Sequence, residues 1–365
     1  MSAETTRAAR SVRGTKLDSE IWGKHVRVVH WGALSARVHT RVLAITAALA
    51  LLCVMASVWS MTIGDTSLSL GQIWDAILGD ASEATQRIVV EWRMPRMLLG
   101  LLGGAALGLS GAIFQSITRN PLGSPDVIGF SSGAYTGALI GMLIVGTSSG
   151  PMGTIGALIG GLVTALVVYL LAYRRGVQGM RLIVVGIAVA AMLNAFNSYM
   201  LIVAGREAAV SAAAWGAGSL NNATWTGVRL LLISLVVLIP VLVTQVRPLR
   251  MLELGDDQSS SLGIAAERTR LTLLVIGVGF VAVITALTGP ISFVALAAPQ
   301  LARRITGAAG VALLPAALMG GLLLVVSDVL ARVLVAPSQL PVGVVTSCLG
   351  GTYLLWLLIR QSRKR

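Results

Sequence analysis

Ten blocks of about 20 mostly apolar residues recur along this chain, at roughly 42–62, 96–116, 126–146, 152–172, 182–203, 226–246, 271–288, 291–305, 310–331 and 343–360. That is the length at which a helix crosses the hydrocarbon core of a bilayer. Of 365 residues, 55% are apolar and only 12% charged, and mean hydropathy is +0.83, so a soluble surface could not be covered. The period-two alternation of a membrane β-barrel is not seen. The chain therefore reads as all-α and polytopic, with about ten transmembrane helices. The eighth block is short and opens at Gly289-Pro290, which predicts a broken or half-crossing helix. Such a break is tolerated only where its backbone is buried in protein or faces a cavity.

The formal net charge of +13 suggests nucleic acid until the charges are placed. Of the 28 Lys/Arg, 22 lie in the first 41 residues, at the carboxyl end and in alternate connections: Arg119, Arg174/Arg175/Arg181, Arg247/Arg250/Arg268/Arg270 and Arg303/Arg304. The other connections hold only Arg87, Arg93, Arg96, Arg206, Arg229 and Arg332. By the positive-inside rule the rich side is cytoplasmic, and both termini lie on it, in agreement with an even number of spans. Nucleic-acid binding is the wrong inference. Residues 1–41 form a basic cytoplasmic arm, too polar to resemble a signal peptide. Its stretch Ile21–Val42, with Trp22 and Trp31, fits either a helix along the membrane surface or a disordered arm.

Three lysines occur, none followed by Ser or Thr, so no Walker A loop is present to hold ATP. The spans contain no His and no paired carboxylates, which leaves out metalloenzyme chemistry and the buried acid usual in proton-coupled pumps. Cys53 and Cys348 lie far apart in apolar blocks and indicate no disulfide framework. Gly100, Gly104 and Gly108, and Gly129, Gly133, Gly137 and Gly141, recur every four residues and predict flat stripes for close helix packing. The passage has no chemistry of its own, so its driving force comes from another subunit.

Three polar segments stand out. Arg119-Asn120-Pro121-Leu122-Gly123-Ser124-Pro125-Asp126 is a rigid cytoplasmic turn. Residues 251–270 mix charge signs and keep Leu and Ile at spacings suited to short amphipathic helices, as a docking surface for a cytoplasmic partner would. On the outer side, Arg93 and Arg96 flank Met94-Pro95, either as interfacial anchors or to receive carboxylates of an external protein.

Together these segments resemble the FecCD family, the membrane subunits of bacterial ABC importers for iron–siderophores, haem and vitamin B12. The resemblance covers about residues 42–365. Its markers are Arg93-Met94-Pro95-Arg96, Ser110-Gly111-Ala112-Ile113-Phe114-Gln115, Arg119-Asn120-Pro121-Leu122-Gly123, Gly289-Pro290-Ile291-Ser292-Phe293-Val294 and Leu340-Pro341-Val342-Gly343-Val344-Val345. One departure is Gln300, where the family commonly has His after Pro299.

The resemblance implies a type II ABC importer permease fold for residues 42–365, with ATPase-coupling helices at about 250–270. By it, Arg93, Arg96 and Arg332 dock an external substrate-binding protein, and Asn120, Leu122, Gly179 and Met180 form the cytoplasmic gate. Leu254, Gly255, Asp256, Asp257, Leu262 and Gly263 couple to the ATPase. Asn194, Asn197 and Ser198 on the fifth span are pathway candidates, with interhelical hydrogen bonding as the competing reading. The implied assembly pairs this chain with a second permease, a different sister chain or a second copy, in the lipid of the cytoplasmic membrane. Two cytoplasmic ATPases bind ATP and Mg; the chain itself is not an enzyme and needs no cofactor. The implied cargo is a ferric-siderophore, its iron travelling within it, with haem or cobalamin as alternatives. An ion-coupled secondary transporter is the rival class, and it lacks support because neither inverted repeats nor intramembrane coupling groups are evident.

Overall fold

A computed structural model of the chain describes residues 26–31, 34–64, 66–143, 151–173, 179–308 and 310–362. Residues 1–25, and with them most of the predicted basic arm, lie outside the described residues, as do Arg174, Arg175 and the last three residues. The described part of the arm is a two-stranded antiparallel hairpin, β1 (Val26–Trp31) and β2 (Leu34–His39), with Val26 opposite His39 and Trp31 opposite Leu34. The surface-helix reading of 21–42 is thereby corrected. Three of the four residues Val26-Arg27-Val28-Val29 are β-branched, and β-branched side chains suit a pleated ribbon better than a helix.

Fourteen α-helices follow among the described residues. They are α1 (Thr40–Thr62), α2 (Leu70–Leu78), α3 (Glu83–Gln86), α4 (Met94–Thr118), α5 (Phe130–Leu143), α6 (Pro151–Ala172) and α7 (Gly179–Val203). Then come α8 (Arg206–Gly216), α9 (Trp225–Leu252), α10 (Asp256–Ser261), α11 (Ala266–Thr288), α12 (Val294–Thr306), α13 (Leu313–Val333) and α14 (Val342–Ser362). All ten predicted blocks are helical, and seven of the helices are long and apolar enough to cross a membrane. A π-helical turn over Arg87–Arg93 joins α3 to α4 without a break. Helices α2, α3 and α8 sit in connections that the apolar pattern left as loops.

The bundle centres on α4, which packs against α13, α11, α12 and α9. Its glycines set the distance. A Cβ on Gly104 would lie 2.4 Å from the Gly320 carbonyl oxygen, and one on Gly108 2.2 Å from that of Ala316. Backbone therefore touches backbone along α4 and α13, as small residues permit between membrane helices. Helices α5 and α6 meet in the same way at Gly137, Gly156 and Gly160. Both predicted stripes are thus packing surfaces.

Helix α12 has 13 residues, about 20 Å at 1.5 Å per residue, too short to cross alone. It starts after Phe293, whose φ of 68° is left-handed. The irregular stretch before it is enclosed by protein: Ser219 N–H donates to the Thr288 carbonyl at 2.7 Å, and Gly218 and Gly343 press on the Pro290 carbonyl. The half-crossing expected at Gly289-Pro290 is present, and its backbone is protected as hydrocarbon surroundings require.

Candidate functional site

The two ends of the bundle carry different polar machinery. At one end, α4 and α13 bring Arg96, Asp328 and Arg332 together, and the π-turn adds Arg93. Arg96 Nε and Nη2 both donate to the Asp328 carboxylate at 2.9–3.1 Å, while Nη1 donates to Gln339 at 3.1 Å. Arg332, one turn beyond Asp328, meets Oδ2 of the same carboxylate at 3.0 Å. Its remaining donors reach the Ser60 and Ile63 carbonyls at 3.0 and 2.8 Å and the Ser60 hydroxyl at 2.7 Å. Arg93 donates to the Met61 and Thr66 carbonyls.

The expectation that all three arginines turn outward is therefore corrected. Arg93 and Arg332 are 9% and 8% exposed and hold the turn between α1 and α2. The reason is that a buried guanidinium needs its donors satisfied, and exposed carbonyls at the end of α1 need partners. Only the Arg96 side chain, 14% exposed, reaches the surface. Two guanidinium groups, those of Arg96 and Arg332, share the one Asp328 carboxylate, and Arg93 is held by backbone carbonyls beside them.

At the opposite end lie the residues expected to form the gate and to couple to an ATPase. Helix α4 stops at Arg119, which takes a left-handed φ of 49°. The Asn120 side chain then accepts the Leu122 N–H at 2.9 Å, fixing the turn. Helix α7 begins beside it, with Gly179 so close to Thr118 that a Cβ would lie 2.6 Å from its Cα. Asn120, Leu122, Gly179 and Met180 thus share one region, with Leu122 and Met180 exposed. Gln300, the departure noted above, donates to the Pro121 carbonyl at 2.6 Å and braces the same turn.

The coupling segment has two faces. Leu254, Asp257, Leu262 and Gly263 are exposed, as a docking surface requires. Gly255 and Gly263 supply left-handed corners at φ 114° and 80°. Asp256 is also ion-paired: its Oδ1 takes Arg270 at 2.8 Å and Arg119 at 3.4 Å, while 44% of its side chain stays exposed. Glu253, not anticipated from the sequence, receives the Ser116 hydroxyl and the Val311 N–H, each at 3.3 Å.

On α7, Asn197 is buried and bridges to α5, accepting from the Thr136 hydroxyl at 2.7 Å and donating to the Ser132 carbonyl at 3.3 Å. The interhelical reading wins for Asn197. Asn194 and Ser198 are exposed on the same helix, whose apolar window is only 17% covered by the rest of the chain.

One titratable group lies outside both clusters. Asp126, in the turn before α5, accepts hydrogen bonds from the Ser131 hydroxyl and the Phe293 N–H, and its Oδ2 is enclosed without a partner. Burial pushes this carboxyl above the usual carboxylate range, against the opposing pull of those two bonds.

Comparison with known proteins agrees with this architecture. A metal-chelate type ABC transporter solved in an inward-facing conformation superposes with a TM-score of 0.78 at 26% identity, over 87% of this chain and 99% of that one. The ferric enterobactin transport system permease protein FepG of Escherichia coli K12 is 47% identical over 313 residues, 86% of this chain and 94% of FepG. The Fe(3+) dicitrate transport system permease protein FecD of the same organism is 35% identical, over 81% of this chain and 94% of its own. A model of the FecCD transport family matches residues 50–360, the whole bundle from α1 into α14, and with the relatives it places this multi-pass membrane protein in that family: the chain is a member of the FecCD transport family.

Proposed function

We propose that this chain is the membrane permease for a ferric-siderophore of the catecholate type, imported by an ABC complex in the cytoplasmic membrane. The observation that carries the cargo class is the graded likeness: 47% identity to FepG against 35% to the dicitrate permease FecD. The chain is the non-catalytic part of that complex, and a separate ATPase and an external binding protein work on it. In this reading both termini are cytoplasmic, a second permease subunit completes the translocation unit, and two ATPases bind ATP and Mg.

The mechanism follows from the two ends. A loaded binding protein presents a carboxylate to Arg96, the arginine of this cluster that reaches the surface. ATPase subunits grip the exposed Leu254–Leu262 face, and nucleotide-driven closure moves α10 and the turn at Asn120. Each partner shifts the switch only as far as it binds one state better than the other. Asn194 and Ser198, left uncovered on α7, offer weak polar contacts to passing cargo.

The test is uptake into proteoliposomes holding the full complex, with a panel of iron-loaded catecholate, hydroxamate and citrate chelates. Selective ATP-dependent uptake of the catecholate is expected; equal uptake of all three would overturn the cargo assignment. Uptake that continues after the partner ATPase loses its Walker lysine would overturn the importer reading itself.

A further inference from the structure

The inner face of the coupling segment is wired to the gate. Asp256 opens α10, and its Oδ1 meets Arg119, the residue immediately before Asn120. Asn120 N–H closes onto the Gln115 carbonyl at 3.1 Å and its side chain fixes Leu122, so the turn moves as a unit with Arg119. The same Asp256 oxygen is held from the other side by Arg270 on α11, which is 5% exposed. Three residues back, Glu253 reaches α4 at Ser116 and the lead into α13 at Val311. The end of α4 is thus tied to the coupling segment at Ser116 and Arg119, one turn apart.

We propose that the Arg119–Asp256 ion pair is a strut that makes the Asn120–Leu122 turn follow α10. Arg119 and Asp256 are then positioning residues for the gate, and the ATPase acts on that turn through them. The inference rests on reading Asn120 and Leu122 as the cytoplasmic constriction. Both side chains of the pair are nearly half exposed, at 45% and 44%, so solvent screens them. An ion pair of that exposure biases a two-state equilibrium by up to about fivefold. That is enough to tune a gate and too little to hold the fold together.

The experiment uses the assembled importer in nanodiscs, with Leu122→Cys as reporter. Cys348 is exposed, so Cys348→Ala is the background; Cys53 is buried and stays. The readout is the labelling rate by a bulky maleimide in nucleotide-free and ATP–vanadate-trapped complexes. The parent should show a clear ratio between the two rates. Arg119→Ala should reduce that ratio by up to about fivefold, and Arg119→Lys should keep it. Asp256→Asn, which leaves an oxygen for Arg270, should reduce it as Arg119→Ala does, and the double variant no further than either single. An unchanged ratio in both single variants, or additive losses in the double, overturns the strut. A flat parent ratio instead overturns the gate reading on which it stands.

Discussion

Arg96 and Asp328 face each other across α4 and α13 through three hydrogen bonds of 2.9–3.1 Å, joining residues 232 apart in the chain. Asp328 also holds Arg332, so one buried carboxylate is the counter-ion of two guanidinium groups, one buried and one at the surface. Asp328→Ala should therefore destabilise the chain by about 3–5 kcal/mol, the range for removing one partner of a buried pair. Thermal unfolding in detergent measures it, and a loss within the spread of surface substitutions would count against the cluster.

Arg96 differs from its neighbours in being reachable. Arg96→Ala should weaken docking of the loaded binding protein by about tenfold or more, the worth of one charge-assisted contact of roughly 1.5–3 kcal/mol. Arg93→Gln should chiefly loosen the α1–α2 turn that it holds through Met61 and Thr66. Surface binding in nanodiscs, paired with melting curves, separates the two effects; equal losses of docking in both variants would refute the distinction.

Asp126 gives the chain a pH dependence with a definite sign. Its carboxyl is raised in the fold, so the folded state favours the protonated form. The stability that this contributes is fully present below the ordinary carboxylate value and is lost as pH rises through the raised one. Asp126→Asn should raise the melting temperature at neutral pH and flatten its slope at acid pH. A variant as pH-sensitive as the parent would contradict the assignment.

The surroundings of two glycines predict opposite outcomes for their substitution. Gly108→Val drives side-chain atoms into the Ala316 backbone and should prevent a stable fold or cost several kcal/mol, as overpacking of tight interfaces does. Gly71→Ala on α2, whose nearest neighbour would be 3.9 Å away, should stabilise by about 0.4–1 kcal/mol. Expression yield and thermal melts decide both.

On α7 the polar residues should part company. Asn197→Ala should lower stability by about 0.6–1.7 kcal/mol, the range for interhelical hydrogen bonds in membranes, and leave cargo selectivity unchanged. Asn194→Ala and Ser198→Ala should leave melting alone and alter uptake kinetics. Unaltered uptake in both would remove them from the pathway.

What the sequence disclosed follows from the length scale of each cause. Spans are written in apolar runs of single helices, so the helices were legible, seven of them long and apolar enough to cross a membrane, and so was the break at Gly289-Pro290. The glycine stripes were legible because a four-residue repeat is local, although their partners Gly320 and Ala316 were not. Asp328 and Arg332 stand four apart, yet the competition between Arg332 and Arg96 for one carboxylate needs the 232-residue closure of α4 onto α13. The ion pair of Asp256 was not legible for the same reason: nothing local announces that Arg119, 137 positions earlier, folds back to meet it. Helix α2 was missed because its nine residues fall below the window that spans a membrane, although Ser69 and Gln72 make a capping box at its start.

The main-chain contact between α4 and α13 reaches beyond packing density. Two rods pressed together at Gly104, Gly108, Gly320 and Ala316 have no side-chain cushion to shear or compress, so they tilt as a single beam. One tip of that beam carries Arg96 and Asp328; the other carries Ser116 and ends at the turn of Asn120. The Arg96–Asp328 pair and the Asn120 turn are thus joined by main chain packed on main chain.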